Sequence, residues 1–368
     1  MGMIRPGGVY ETFGAYLPPL HNPSLGDLGQ GFTPVVPSRS IGPAHGLRNL
    51  HFKLEQLNPT GSYKDRFAGL AVALAIQNGA KGCAATSSGN TGAAVAAMSA
   101  AFGLGCTLFV NENTPAAKLV QMRAYGARVI RVKGFGIDPR ESGLISAHLR
   151  EVCASLDIPF CVSAFVFCPT AMQGIKTIAY ELHQQLGQIE EVFTPAGGGG
   201  LYLGIAKGFA DLRLKADQVP RLNIVQARLN DTIVTPLNEG QDKARSVDTV
   251  TRISGLAVAR DLDGTAAILH ARRTGGFGVL VDDEEIFAVQ RQLACSEGLL
   301  VEPAGAASVA GAIAAARAGM LSPHSCTVCI LTGHGFKDTA ALESMAADRS
   351  VELIDRAAIS DALRQAAD

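Results

Sequence analysis

The sequence predicts an α/β fold built on doubly wound, mainly parallel open sheets. Short apolar runs of strand length alternate with helix-length stretches through most of the chain. Three strand-to-helix turns are rich in glycine and small polar residues, which is where open α/β sheets collect ligands. The 368 residues, 47% hydrophobic and 18% charged, suffice for a large core in one big or two interlocked domains.

In chain order the strand candidates are 51–54, 82–85, 107–110, 129–132, 160–163, 192–195, 223–226 and 327–331. They are short, rich in Val, Ile, Phe, Cys and Ala, and mostly lack polar alternation, as strands buried on both faces do. Helix candidates lie between most of them, at 67–74, 93–101, 116–125, 143–155, 171–186, 202–212 and 303–317. A smaller domain is expected over 80–165, with the larger one assembled from 1–79 together with 166–368. The Pro/Gly-rich segment through Pro43, polar 238–248 and the charged C-terminal tail are expected to be the least ordered parts. No internal repeat or low-complexity tract is evident.

The most informative stretch is Asn58-Pro59-Thr60-Gly61-Ser62-Tyr63-Lys64-Asp65-Arg66. Pro59 and Gly61 mark a turn, and Ser62 with Asp65 three residues on reads as a capping box opening a helix. Lys64 then lies in the first turn, where the helix dipole and any burial both disfavour an ammonium. A free amine there is able to form an imine, which points to pyridoxal 5′-phosphate. A lone lysine at a helix start is ordinarily solvated. Two further segments argue otherwise here.

Thr86-Ser87-Ser88-Gly89-Asn90-Thr91-Gly92 joins a strand to an alanine-rich helix. Its small residues let backbone N–H groups and hydroxyls converge on an anion at the helix start, and a carboxylate suits that geometry. Pro195-Ala196-Gly197-Gly198-Gly199-Gly200-Leu201 occupies a second such turn. Four glycines let the main chain wrap a phosphate closely. The run lacks the Gly-Lys-Ser/Thr ending of a Walker loop and the register of the dinucleotide fingerprint. An ordinary loop is the alternative for the first segment and a flexible turn for the second.

On these residues the chain resembles threonine synthase, a fold-type-II pyridoxal-phosphate enzyme of the tryptophan synthase β-like group. The resemblance rests on the segments at 58–66 and 87–92 and on Leu331-Thr332-Gly333-His334-Gly335-Phe336-Lys337-Asp338. The glycine run is more similar to the serine/threonine dehydratases of the same superfamily. Similarity spans about residues 33 to 342. It implies that the cofactor sits in the cleft between the two domains. It implies further that Lys64 carries the cofactor and, once displaced by substrate, moves the α-proton. Asn90 would lie by the cofactor's 3′-oxygen, and Gly197, Gly198, Gly199 and Gly200 with Leu201 would bind its phosphate. Ser87, Ser88, Gly89 and Thr91 would hold the substrate carboxylate. Thr332 occupies the position facing the pyridine nitrogen, where a neutral partner moderates electron withdrawal and favours elimination. Glu302 matches a Glu-Pro segment of the family and is expected to cap the following helix.

The chain also departs from that family. Threonine synthases typically carry Asn-Pro-x-Arg before a Gly-Gln-Lys-Thr segment, and these side chains help bind the substrate's phosphate. Here the asparagine becomes Cys168 and the arginine Ala171, with Phe165 and Phe167 nearby. A phosphate dianion needs charge-assisted donors, so O-phosphohomoserine is expected to turn over poorly and a smaller or uncharged leaving group better. Arg66 and Lys176 are the substitute cations within reach in sequence.

Net charge of −1 gives no footprint for nucleic acid or an anionic membrane. No apolar run is long enough to span a bilayer, and residues 1–6 lack a signal-peptide core, so a cytoplasmic protein is expected. Of eight cysteines, Cys326 and Cys329 bracket strand residues and should face opposite ways, and no Cys/His pairs stand at zinc spacing. Cys83, Cys106, Cys161 and Cys295 read as core cysteines, and no metal is expected. The expected function is therefore a pyridoxal-phosphate-dependent lyase or synthase, threonine synthase-like. It would perform β- or γ-elimination, or replacement, on a small amino acid, as a homodimer. A hydroxyamino-acid dehydratase is the enzymatic alternative, and a non-catalytic binding protein of the same fold is the remote one.

Overall fold

A computed structural model describes residues 7–87, 89–212 and 218–365. Nine strands form two sheets among them. The larger sheet runs β1-β2-β9-β6-β7-β8, from β1 (Val35–Pro37), β2 (Leu50–Leu54), β6 (Glu191–Pro195), β7 (Arg221–Ala227), β8 (Gly278–Val281) and β9 (Thr327–Leu331). Only the edge pair β1–β2 is antiparallel. The smaller sheet, β3 (Gly82–Ala85), β4 (Gly105–Asn111) and β5 (Arg128–Val132), is parallel throughout. Every residue of β6 and β9 is buried, as a central strand covered on both faces requires.

Side-chain alternation divides the core. Val328 and Ile330 join one apolar cluster while Cys329 and Leu331 join another. Cys326 packs with the first cluster and Cys329 with the second, so the two thiols face away from each other. The helix Pro303–Arg317, rich in alanine, lies flush against the large sheet on the Cys329 side.

Several elements differ from the sequence reading. Residues 160–163 make only an isolated bridge, Ala84 to Phe160, because the chain turns away toward the cleft immediately afterwards. Strands β1 and β8 lie outside the expected set; Pro37 in β1 and Gly278 in β8 weaken a strand signal that the edge position tolerates. The N-terminal segment is packed from residue 9. Val9, Tyr10 and Phe13 fall on one helical face and pack with Leu70 and Tyr180, and Tyr10 Oη donates to Arg66 O at 2.7 Å. Within 238–248, Asn238 exchanges two 2.9 Å hydrogen bonds with Gly278. The C-terminal tail holds the helices Thr339–Ala346 and Ile359–Gln365. Cys295 is exposed on the outer face of the helix Asp283–Glu297. No described helix is long and apolar enough to cross a membrane.

Candidate active site

The helix Lys64–Gln77 opens without the expected capping box. Asp65 instead accepts from the Thr60 backbone N–H at 2.7 Å and from the Thr60 hydroxyl at 2.5 Å. Ser62 is buried, and its hydroxyl finds no partner among the described residues. The reason is positional: the helix starts one residue later than a Ser62 cap requires, and the carboxylate closes the preceding turn instead. Burial pushes the Asp65 carboxyl up to about 6, against the opposing hydrogen bonds from Thr60.

Lys64 is half-buried at the floor of a cavity of about 510 Å³. Its Nζ donates to the Ser163 hydroxyl at 2.8 Å, and Ser163 shares a second 2.8 Å hydrogen bond with the Thr91 hydroxyl. In the sequence Ser163 has no mark of a site residue, because its stretch reads as strand. The available signal was a hydroxyl standing at the end of an apolar run.

Around this chain of polar groups lie the other singled-out segments. Ser87, Gly89, Asn90 and Thr91 line one wall, at the start of the helix Asn90–Ala101. Ser88 lies outside the described residues. Gly197, Gly198, Gly199, Gly200 and Leu201 line another wall, at the start of the helix Gly200–Asp211. Gly199 adopts φ +91°, a left-handed conformation that glycine tolerates best. A Cβ on Gly197 would sit 3.0 Å from Gly255 O, and one on Gly199 would sit 3.1 Å from the Asp263 carbonyl carbon. Side chains would fill this cradle. Its open main chain, at a helix N-terminus, suits an anionic group.

Thr332 closes the far side. Its hydroxyl donates to Glu302 Oε1 at 2.7 Å, while Asn90 Nδ2 donates to the two Glu302 oxygens at 3.1 and 2.9 Å. Glu302 therefore does not cap the following helix through its side chain; its carboxylate turns back into the cleft and ties Asn90 to Thr332. Burial raises the Glu302 pKa, opposed by these hydrogen bonds and by Lys337 and Lys64. Asp263 is held similarly, accepting from the Phe165 and Val166 N–H groups at 2.8 and 3.0 Å.

The positions that replace the family's phosphate grip do not face this cavity. Cys168 donates to Phe160 O and accepts from Val162 N, and neither Cys168 nor Ala171 is among the lining residues. Arg66 is buried in ion pairs with Glu55 and Glu181, and Lys176 is bonded to Asp211 and Tyr16 O. Neither is free to swing in. Positive charge in the cleft comes instead from Lys64, Lys118 and Lys337. Lys337 belongs to the Leu331–Asp338 segment that carries the resemblance, but neither it nor Lys118 has a sequence signal of what it will face.

Residues 27–333 match the family model described as pyridoxal-phosphate dependent enzyme. The chain is 33% identical over 336 residues to a threonine synthase of Methanocaldococcus jannaschii, covering 89% of this chain and 80% of that one. It is also 33% identical over 336 residues to a threonine synthase of Halalkalibacterium halodurans, covering 90% of each. The processed form of threonine deaminase isoform 2 from Solanum lycopersicum has the same fold. That match has a TM-score of 0.71 at 21% identity and covers 87% of this chain and 88% of that one.

Proposed function

The chain belongs to the pyridoxal-phosphate-dependent enzyme family, and from that membership we propose residue roles for a threonine synthase-like lyase or synthase acting on a small amino acid. The observation that carries the assignment is convergence. One cavity is lined by the Lys64 amine, a tetraglycine helix start, a hydroxyl-bearing helix start and a buried Thr332–Glu302–Asn90 group. Its volume falls in the range that holds a cofactor with a small ligand.

Lys64 would carry the cofactor, Gly197 to Gly200 with Leu201 would hold its phosphate, Asn90 would lie at its 3′-oxygen, and Thr332 would meet the ring nitrogen. Ser87, Ser88, Gly89 and Thr91 take the substrate carboxylate. When bound, pyridoxal phosphate supplies an electron sink for the carbanion at Cα. The protein's own part is to place and move protons. Lys64 Nζ would remove the α-proton, and the contacts to Ser163 and Thr91 give that proton a path along hydroxyl groups. Glu302 fixes the Asn90 amide and the Thr332 hydroxyl by accepting from both, so the two side chains stay in place without backbone movement.

Loss of a β-substituent as HX leaves an enamine that water hydrolyses to an α-keto acid and ammonia, and exchange of a β- or γ-substituent for an incoming nucleophile such as water gives a new amino acid. The tetraglycine loop favours a hydroxyamino-acid dehydratase as the second reading. Separate sheets support a smaller domain over 80–165 beside a larger one from 1–79 and 166–368. A cytoplasmic homodimer belongs to the same proposal; eight free thiols suit a reducing compartment.

The test is borohydride reduction of the yellow holoprotein, followed by peptide mapping, alongside product analysis over serine, threonine, O-acyl amino acids and O-phosphohomoserine. The pyridoxyl group should appear on Lys64 and vanish in Lys64→Ala. Recovery of the label on Lys53 or Lys176 would overturn the assignment.

A further inference from the structure

Asp263 immediately precedes the helix Gly264–Arg273, where an aspartate ordinarily caps the helix through its side chain, yet it makes no such bond. Asp261 serves the helix start instead. Its Oδ1 accepts from Thr265 N at 3.0 Å and its Oδ2 from the Thr265 hydroxyl at 2.5 Å. The Asp263 carboxylate is thereby released to another part of the chain.

Only 4% exposed, that carboxylate accepts from Phe165 N at 2.8 Å through Oδ2 and from Val166 N at 3.0 Å through Oδ1. A buried charge is costly unless hydrogen bonds satisfy it, and two charge-assisted bonds from adjacent peptide groups hold a bend in one place. The bend begins at Ser163, whose hydroxyl accepts from Lys64 Nζ at 2.8 Å. The main chain of Asp263 meets the glycine run. Its N–H donates to Gly198 O at 2.9 Å, and a Cβ on Gly200 would lie 3.0 Å from Asp263 Oδ2 and 3.4 Å from Ser163 O. One residue therefore grips the glycine run with its backbone and the Ser163 bend with its side chain.

We propose that Asp263 is a positioning residue that joins two parts of the cleft: it fixes the bend at which the Ser163 hydroxyl meets Lys64, and it seats the glycine run beside that bend. Its meaning for the reaction rests on the reading of Lys64 as the cofactor's lysine. The coupling of Asp263 to Lys64 through Ser163 stands on contacts of this chain alone. Orientation of the amine and the hold on an anion in the glycine cradle should then be lost together when the carboxylate is altered.

The test compares the full-length parent with Asp263→Asn, Ser163→Ala and the double replacement. Asparagine keeps one acceptor and turns a donor toward the second N–H, so the bend loosens. Lys64 is read in the protein freed of cofactor, by its rate of reductive methylation with formaldehyde and peptide mapping. The cradle is read by calorimetry with pyridoxine 5′-phosphate, which carries the phosphate but no aldehyde. Ser163→Ala should change the Lys64 rate threefold or more and the phosphate affinity less than twofold. Asp263→Asn should change the rate in the same direction and weaken the affinity about tenfold. The double variant should match Ser163→Ala in rate, because the group through which Asp263 acts is gone. Asp263→Glu keeps the charge but displaces both acceptors and should repeat the rate change, so the result does not hang on the folding of one variant. Asp261→Asn, which loosens only the helix start, should resemble the parent in both readouts. Additive rate changes in the double variant, or parent-like values in both Asp263 variants, would overturn the proposal. The predicted coupling with the borohydride label on another lysine would support the positioning and count against the proposed role of Lys64.

Discussion

Arg66 Nη1 lies 2.5 Å from Glu181 Oε1, and both side chains are sealed from water. The same guanidinium donates through Nε and Nη2 to Glu55, at 2.7 Å each, and Lys53 Nζ donates to Glu181 at 2.7 Å. Two cations and two carboxylates neutralise one another two residues beyond Lys64. They join strand β2, the Lys64 helix and the helix Thr177–Leu186. The group fixes the direction in which the helix leaves the turn that carries Lys64.

Arg66→Met should therefore destabilise the protein by about 3–5 kcal/mol, because it leaves buried carboxylates without their partner. Urea unfolding checks this. The double replacement Arg66→Met with Glu181→Leu should recover part of the loss, and a single-variant loss below about 1 kcal/mol would show that the group is not closed in solution.

Acid should open the same group. Burial opposes ionisation of Glu181, but the Arg66 and Lys53 charges outweigh it and hold the carboxyl down at about 2. Its folded pKa is below the unfolded value, so its stabilisation is present above about 4.5 and is lost as pH falls toward 2. In Glu181→Gln the stability profile should be flatter across that window. A profile parallel to the parent's would contradict the pairing.

Asp65 predicts the opposite slope. Burial raises its carboxyl to about 6, so its contribution is complete below the unfolded value of 3.8 and is lost as pH rises through about 6. Asp65→Asn keeps an acceptor for Thr60 and should abolish this decline between pH 4 and 6. Stability measured at half-unit pH intervals in both proteins tests it; a decline that survives the replacement would assign it to another group.

Gly199→Ala should weaken cofactor retention about five- to thirtyfold, since φ of +91° costs a non-glycine residue about 1–2 kcal/mol and the new Cβ meets the Asp263 backbone. Gly46→Ala is the control. It has φ of +75° with nothing within 4 Å, so it should lower stability slightly and leave cofactor titration of the apoprotein unchanged. Equal cofactor affinity in the parent and Gly199→Ala would remove the glycine loop from the cradle.

Glu302→Ala would strand the Asn90 amide and the Thr332 hydroxyl in a buried wall, at about 1–3 kcal/mol for each unpaired donor. Turnover should fall tenfold or more while the borohydride label stays on Lys64. Retained turnover would reduce Glu302 to a structural residue.

Much of this site is legible in the chain because it uses backbone chemistry. The Gly197–Gly200 run and the 86–92 loop announce themselves through their residue types, and the strand-turn-helix context places each at the carboxyl end of a strand. What sequence conceals is direction. Asp65 stands at the spacing of a capping box yet closes on Thr60, and Glu302 stands at a helix start yet reaches Asn90. Ser163 and Lys337 act only through partners far along the chain, Lys64 and Gln121. Local propensity carries no record of such pairings. Arg66 illustrates the same point, since a charged residue in the first turn of a helix is among the largest fully buried side chains.

The pairing of β2 with β9, Leu50 to Thr327 through Leu54 to Leu331, bears on how the enzyme is made. The strand that leads to Lys64 takes its neighbour from the far end of the sequence, and Thr332 follows that neighbour directly. During synthesis the lysine emerges early, yet the second half of its pocket leaves the ribosome only after nearly everything else. Closing so long a loop is slow and depends on the intervening units having already collapsed. The nascent chain therefore passes through a long interval in which Lys64 exists without the wall that Thr332 supplies. Cofactor loading should accompany the last stage of folding, so that possession of the bound chromophore reports completion of the whole molecule.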